Sequence, residues 1–212
     1  SIIWATSAGD WKVIYFDTAD AGIDSEREGW NATYRTGVNF NPKPNQHLVD
    51  SVKGRKPGKA LDVAMGQGRN AIYLASQGWK VTGIDISDEG MKIAQANAAK
   101  QKLKIETINH DDMTFDFGKN RWDLVALIYA GNNHAVIEKI KASIRKGGLF
   151  VVEFFAREST AGTGIGGFEQ GELAALFSDG NWTIVKDEVV EDTADWGFAR
   201  TKLVRFTAER KK

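Results

Sequence analysis

The run Leu61-Asp62-Val63-Ala64-Met65-Gly66-Gln67-Gly68-Arg69-Asn70-Ala71, with Asp85 nineteen residues beyond Gly66, restricts the possible folds more than any other stretch of this 212-residue chain. Lys59 to Ala64 reads as a buried strand and the two glycines as a tight turn. Asn70 to Gln77 carries apolar residues at helical spacing and stops at Gly78, a helix C-cap signal. A strand, a glycine turn and a helix start let backbone amides approach a ligand closely. A carboxylate at the tip of the next strand can accept hydrogen bonds from a ribose diol. The constellation points to a nucleoside-containing cofactor.

The alternation continues along the chain. Trp79 to Ile84, Ile105 to Asn109, Asp123 to Tyr129 and Leu149 to Phe155 read as strands, the last opened by a turn at Lys146-Gly147-Gly148. Helices are expected at Asp88 to Gln101, with Ser87 as N-cap, and at Ala135 to Ile144. Apolar strands separated by helices mean a parallel sheet covered on both faces. After a short helix at Glu172 to Phe177, the runs Trp182 to Val190 and Lys202 to Ala208 leave no room for a helix between them, which predicts an antiparallel hairpin at the sheet edge. The expected fold is therefore α/β, Rossmann-like and doubly wound, with a mostly parallel seven-stranded sheet, a C-terminal antiparallel hairpin and helices on both faces. Residues 1–57, with helical patches at Ser25 to Tyr34 and Gln46 to Val52, read as an N-terminal extension and lid segment, and residues 58–212 as one cofactor-binding unit.

Composition narrows the function. The 28 Lys+Arg balance 28 Asp+Glu, which argues against a nucleic-acid partner, although acids concentrate in residues 169–195. The absence of cysteine excludes a disulfide framework, a Cys-containing zinc site and a cysteine nucleophile. No metal is expected. No run of about 18 apolar residues exists, so no membrane partner is expected either. Ser1 to Ala5 is apolar but lacks a basic leader. The expectation is a cytoplasmic protein, with an exported form left open because the chain starts without Met. Nothing in the pattern bears on oligomeric state.

Gly66-Gln67-Gly68-Arg69-Asn70-Ala71 formally fits a dinucleotide fingerprint. Three features favour S-adenosylmethionine over NAD. Asp62 lies inside the first strand, facing the glycine turn; Asp111-Asp112 follow the third strand, where they can receive an adenine amino group; and the chain ends in a hairpin with no second domain for a hydride partner. An NAD-binding oxidoreductase and a non-catalytic S-adenosylmethionine-binding protein are the alternatives.

With these residues the sequence resembles class I S-adenosylmethionine-dependent methyltransferases, within them the tellurite-resistance (TehB-like) small-molecule group. The resemblance rests on Leu61-Asp62-Val63, on Gly66-x-Gly68-Arg69-Asn70-Ala71-x-Tyr73-Leu74-Ala75, on Gly83-Ile84-Asp85-Ile86-Ser87, on Trp122-Asp123-Leu124-Val125, on Lys146-Gly147-Gly148 and on Phe168-x-x-Gly171-Glu172-Leu173. It implies that Gly66 and Gly68 line the methionine part of the cofactor, with Asp62 and Arg69 in the same set. Asp85 would bind the ribose hydroxyls and Ile86 would pack on the adenine. Asp111 or Asp112, with the Met113 backbone, would hold the adenine amino group, and Tyr129 would stand near the sulfonium. Trp30, Tyr34 and Arg35 would close over the site, Arg35 reaching the cofactor carboxylate. S-adenosylhomocysteine would be the product.

Two departures matter. Ala64-Met65 stands where the family commonly has Gly-Cys, and Glu191 to Asp195 replaces basic residues that the family has near its final hairpin, which speaks against tellurite as acceptor. Ile128-Tyr129-Ala130-Gly131 lacks the Asn/Asp-Pro-Pro-Tyr motif of exocyclic base or glutamine methylation, leaving a small-molecule nucleophile such as a thiol. Tyr129, Glu153 and His134 are the catalytic candidates. Glu153 is a carboxylate inside an apolar strand, either paired structurally or facing the acceptor. The glycine-rich run Ala161 to Phe168 reads as a linker or a mobile lid over the acceptor.

Overall fold

The computed structural model describes residues 2–7, 10–15, 22–37, 40–160, 166–197 and 199–212, with backbone alone for 2–15. Strands β1 (Ile2–Ser7) and β2 (Asp10–Tyr15) pair antiparallel as a separate two-stranded sheet, which the sequence reading did not foresee. Helices α1 (Ile23–Arg35) and α2 (Gln46–Val52) follow. The Asn45 side chain caps α2 by accepting from the Leu48 amide, and α2 buries Leu48 and Val52 in the main core.

The main sheet starts with β3 (Lys59–Val63), then α3 (Arg69–Ser76), β4 (Lys80–Asp85), α4 (Asp88–Lys100), β5 (Glu106–Asn109), β6 (Trp122–Ile128), α5 (His134–Ser143) and β7 (Ile144–Phe155). Ser87 caps α4 as expected, its hydroxyl accepting from the Gly90 amide at 3.0 Å. A one-turn 3-10 helix (Arg157–Ser159), α6 (Glu172–Leu176), β8 (Trp182–Thr193) and β9 (Arg200–Arg210) complete the chain. The strand order is β5-β4-β3-β6-β7-β9-β8; the first five are mutually parallel and β9 is antiparallel to both neighbours. The predicted hairpin is present, with the last strand inside the sheet and β8 at the edge.

One expected turn is not a turn. Lys146-Gly147-Gly148 lies within β7, which begins directly after α5. The pairing passes from Trp122 with Ile144 to Leu124 with Leu149, so the extra residues bulge out of the ladder there. Gly147 takes φ +78°, and a Cβ on Gly148 would press on the Asp123 carbonyl at 3.0 Å. The two glycines are what the bulge requires. Among the described residues no helix is long and apolar enough to cross a membrane.

Candidate active site

The carboxyl ends of β3, β4 and β6 open on a cleft of about 410 Å³. In the loop after β3, Ala64, Gly66 and Gly68 all have positive φ, at +52°, +53° and +79°. Each glycine has a steric reason. A Cβ on Gly66 would collide with the Tyr34 hydroxyl, and one on Gly68 would stand 2.7 Å from Cβ of Ala94 in α4. Gly68 therefore packs α3 against α4 and does not line the cleft. Met65 is buried over β4, and only glycine fits beneath it at Gly83.

Ala64 holds a left-handed conformation that costs a residue with a Cβ about 1–2 kcal/mol. Part of that is offset because glycine loses more entropy on folding. Ala64→Gly is expected to raise stability by about 0.5–1 kcal/mol, measured by urea unfolding. A loss of stability would contradict the strain at Ala64.

Carboxylates ring one end of the cleft. Asp85, at the tip of β4, accepts from the Gly66 amide through Oδ2 and from the Ser87 amide through Oδ1, both at 2.7 Å. Each oxygen keeps a lone pair for a ligand donor. Burial pushes the Asp85 carboxyl up to about 6 against the opposing pull of those two amides. Asp62, 1% exposed beneath the loop, has no hydrogen-bond partner for Oδ2. Burial drives it up to about 7, opposed by the Arg69 charge and the Ala71 amide. Asp111 and Asp112 line the cleft opposite; burial raises Asp112, with the Asp111 and Glu26 carboxylates adding to the effect. Asp85, with free lone pairs beside a glycine loop, can accept hydrogen bonds from ligand donors in the cleft.

Helix α1 covers this end. Ser87 Oγ donates to Asn31 Oδ1 at 2.7 Å and the Glu89 amide donates to the same oxygen at 3.1 Å. The Tyr34 ring lies in a slot between Gly66 and Gly90, two positions that admit no side chain.

Aromatic rings line the cleft beyond Tyr34, which itself meets Phe40 at 5.6 Å and Trp30 at 6.3 Å. Trp196, in the β8–β9 connection, stacks on Tyr129 with centroids 5.7 Å apart and rings 30° apart. It also meets Trp30 at 5.7 Å and Phe40 at 6.0 Å. Tyr129, just past β6, has φ +56°, a strained state for a bulky residue and one that concentrates at functional sites. Its hydroxyl accepts from the Asp195 amide at 3.2 Å, and burial raises its pKa. Tyr129 is a neutral phenol at physiological pH.

Asp195 anchors a polar network behind these rings. Its carboxylate accepts from Arg69 Nη1 at 2.6 Å, Asn45 Nδ2 at 2.8 Å and Asn41 Nδ2 at 2.7 Å. Asn45 Nδ2 also donates to Glu153 Oε1 at 2.6 Å, while Arg205 Nε donates to Glu153 Oε2 at 2.6 Å.

Of the residues singled out from sequence, the cleft gathers Tyr34, Gly66, Arg69, Asp85, Ile86, Asp111, Asp112, Met113 and Tyr129, together with Trp30. Besides Gly68, it does not gather four others. Arg35 is exposed and pairs with Glu28 at 2.6 Å and with Glu89 of α4 at 3.8 Å. Asp62 lies under the loop. Glu153 is held in the Asn45–Arg205 network, the structural member of the two readings. His134 is half exposed and bonded through Nε2 to Glu172 at 2.6 Å, although its neighbours Asn132 and Asn133 line the cleft. Sequence reasoning missed Phe40, Asn45, Asp195 and Trp196. Only Asn45 carried a signal, as an Asn before a helix. Residues 161–165 of the glycine-rich run fall outside the described residues.

Residues 60–148 match the family model described as a methyltransferase domain. A putative methyltransferase of Geobacillus sp. is 37% identical over 86 residues, which is 40% of this chain and 34% of that protein. The probable S-adenosyl-L-methionine-dependent methyltransferase TehB of Haemophilus influenzae is 36% identical over 64 residues, 30% of this chain and 22% of that one. The crystal structure of TehB from H. influenzae superposes with TM-score 0.65 at 21% identity, covering 88% of this chain and 67% of that one. The fold is that of TehB. The matched stretches span about a third or less of these curated relatives, 34% and 22%. The methyltransferase-domain match favours S-adenosylmethionine over the NAD-binding alternative.

Proposed function

We propose that the protein transfers the methyl group of S-adenosylmethionine to a small-molecule nucleophile and releases S-adenosylhomocysteine. The observation that carries the reading is one cleft of about 410 Å³ whose carboxylate end runs directly into an aromatic end, a volume suited to a cofactor and a small acceptor. Asp85 would hold the ribose hydroxyls and Asp111 or Asp112 the adenine amino group, with Ile86 and Met113 beside the base. Asp62, buried under the loop and outside the cleft lining, would act on the cofactor ammonium by its charge alone. Bound there, S-adenosylmethionine supplies a methyl group already activated on a sulfonium.

What remains for the chain is alignment and exclusion of water. Helix α1 serves as the cover, through Tyr34 at the cofactor end and Trp30 at the acceptor end. Of the three catalytic candidates Tyr129 alone lines the cleft, and as a neutral phenol it contributes contact and not proton removal. An acceptor that ionises readily without a dedicated base, such as a thiol, fits this arrangement best. The test is calorimetric titration with S-adenosylhomocysteine, followed by turnover on thiols, amines, hydroxyls and metalloid oxyanions. The expected result is binding at about 1:1 and product release with at least one acceptor. Binding with no turnover on any of them would favour the non-catalytic cofactor-binding protein.

A further inference from the structure

Building on the methyltransferase reading, we infer that the acceptor carries no negative charge apart from any on its reacting atom and presents a flat aromatic face to Trp196. Two independent features of the cleft point there. The first is shape. Trp196 lies against rings from three other segments, Trp30 of α1, Phe40 of the loop before α2 and Tyr129 after β6. With Phe154, whose ring is 6.2 Å from Tyr129, these side chains form a continuous aromatic wall of the cleft. Such a wall rewards a planar apolar ligand through area burial and offset stacking.

The second is charge. Four carboxylates line the cleft, Glu26, Asp85, Asp111 and Asp112, and Arg69 is the single Lys or Arg lining it among the described residues. That guanidinium is engaged, through Nη1, by the Asp195 carboxylate at 2.6 Å and the Lys43 carbonyl at 3.0 Å. Asp195 in turn is held by Asn41 and Asn45, so the pair is fixed from both sides. An anionic group remote from the reacting atom would lose hydration in this cleft and meet no uncommitted cation in return, whereas charge on the reacting atom would face the cofactor sulfonium. The discrimination is against acceptors that bear a carboxylate or phosphate substituent.

For an arenethiol the balance is simple. The thiol loses its proton to bulk water, and its sulfur forms a bond to the methyl carbon as the bond between that carbon and the sulfonium breaks. The electron pair stays on the departing S-adenosylhomocysteine.

The probe is a matched pair, 4-mercaptophenylacetate and its methyl ester, in which a methylene insulates the charge from the sulfur. S-adenosylhomocysteine binding is measured first by calorimetry. If it fails, the methyltransferase reading fails, whereas intact binding with the wrong acceptor preference overturns this inference alone. The ester is expected to show kcat/KM at least about tenfold above the acid, the scale of about 1.4 kcal/mol for an uncompensated charge. An acid that reacts as well as the ester would overturn the proposal. Trp196→Leu is expected to raise KM for the ester about tenfold while leaving S-adenosylhomocysteine affinity within about threefold. An unchanged KM would count against the aromatic face. Asp195→Asn, with folding checked by thermal melting, frees Arg69 and should narrow the gap between acid and ester. The wild-type pair decides the matter if that variant does not fold.

Discussion

Asp85→Ala should weaken S-adenosylhomocysteine binding by about 1–3 kcal/mol, because ribose hydroxyls lose a charged acceptor and the Gly66 and Ser87 amides lose their partner at the same time. Calorimetry at pH 7.5 measures it, and an affinity unchanged from wild type would remove Asp85 from the cofactor site. The same carboxylate sets a pH dependence. Its folded-state value, about 6, lies above that of an unfolded Asp, so the folded protein without ligand binds more protons across that interval. The carboxyl's contribution to stability is therefore present at low pH and is lost as pH rises through about 4 to 6. Asp62, at about 7, extends the loss upward. Ligand donors favour the ionised form, so cofactor affinity should change the opposite way, tightening from pH 5 to 7.5. An affinity flat over that range in wild type would contradict the burial of Asp85.

Arg205→Met carries the largest expected cost in stability. Glu153 is 2% exposed and Arg205 supplies one of its two partners. Removing the guanidinium leaves a buried carboxylate held by Asn45 alone, a loss of about 3 kcal/mol for a broken buried pair. For a chain of this length that is a fall in Tm of about 6–12 °C. A Tm within about 2 °C of wild type would show that Glu153 tolerates the loss. Glu153→Gln separates structure from chemistry. It keeps the Asn45 contact, and Arg205 keeps Asp192 at 2.7 Å, so turnover should persist wherever the variant is folded.

What was legible in the sequence was what is coded locally. The glycine turn, Ser87 as a cap, and the apolar strands are each set by neighbours within a few residues, and they gave the sheet and the carboxylate end of the cleft. Asp85 could be placed because one strand and one turn fix its distance from Gly66. The aromatic end was not legible. Trp196 reaches Tyr129 only because β9 inserts beside β7, and Asn45 meets Glu153 across 108 positions of sequence. Arg35 shows the converse error. One position past Tyr34 in a helix turns a side chain by about 100°, away from the cleft that Tyr34 faces. The turn expected at Gly147-Gly148 failed because the same residues that end a strand also make a bulge inside one.

Helix α1 places Tyr34 over Gly66 and, one turn earlier, Trp30 against Trp196. A single rigid rod thus touches both halves of the cleft, pinned near its middle by Asn31. Any ligand that holds this rod in place at one end lowers the free energy of the closed arrangement for the other. By reciprocity, whatever factor the cofactor adds to acceptor affinity, the acceptor must return to cofactor affinity.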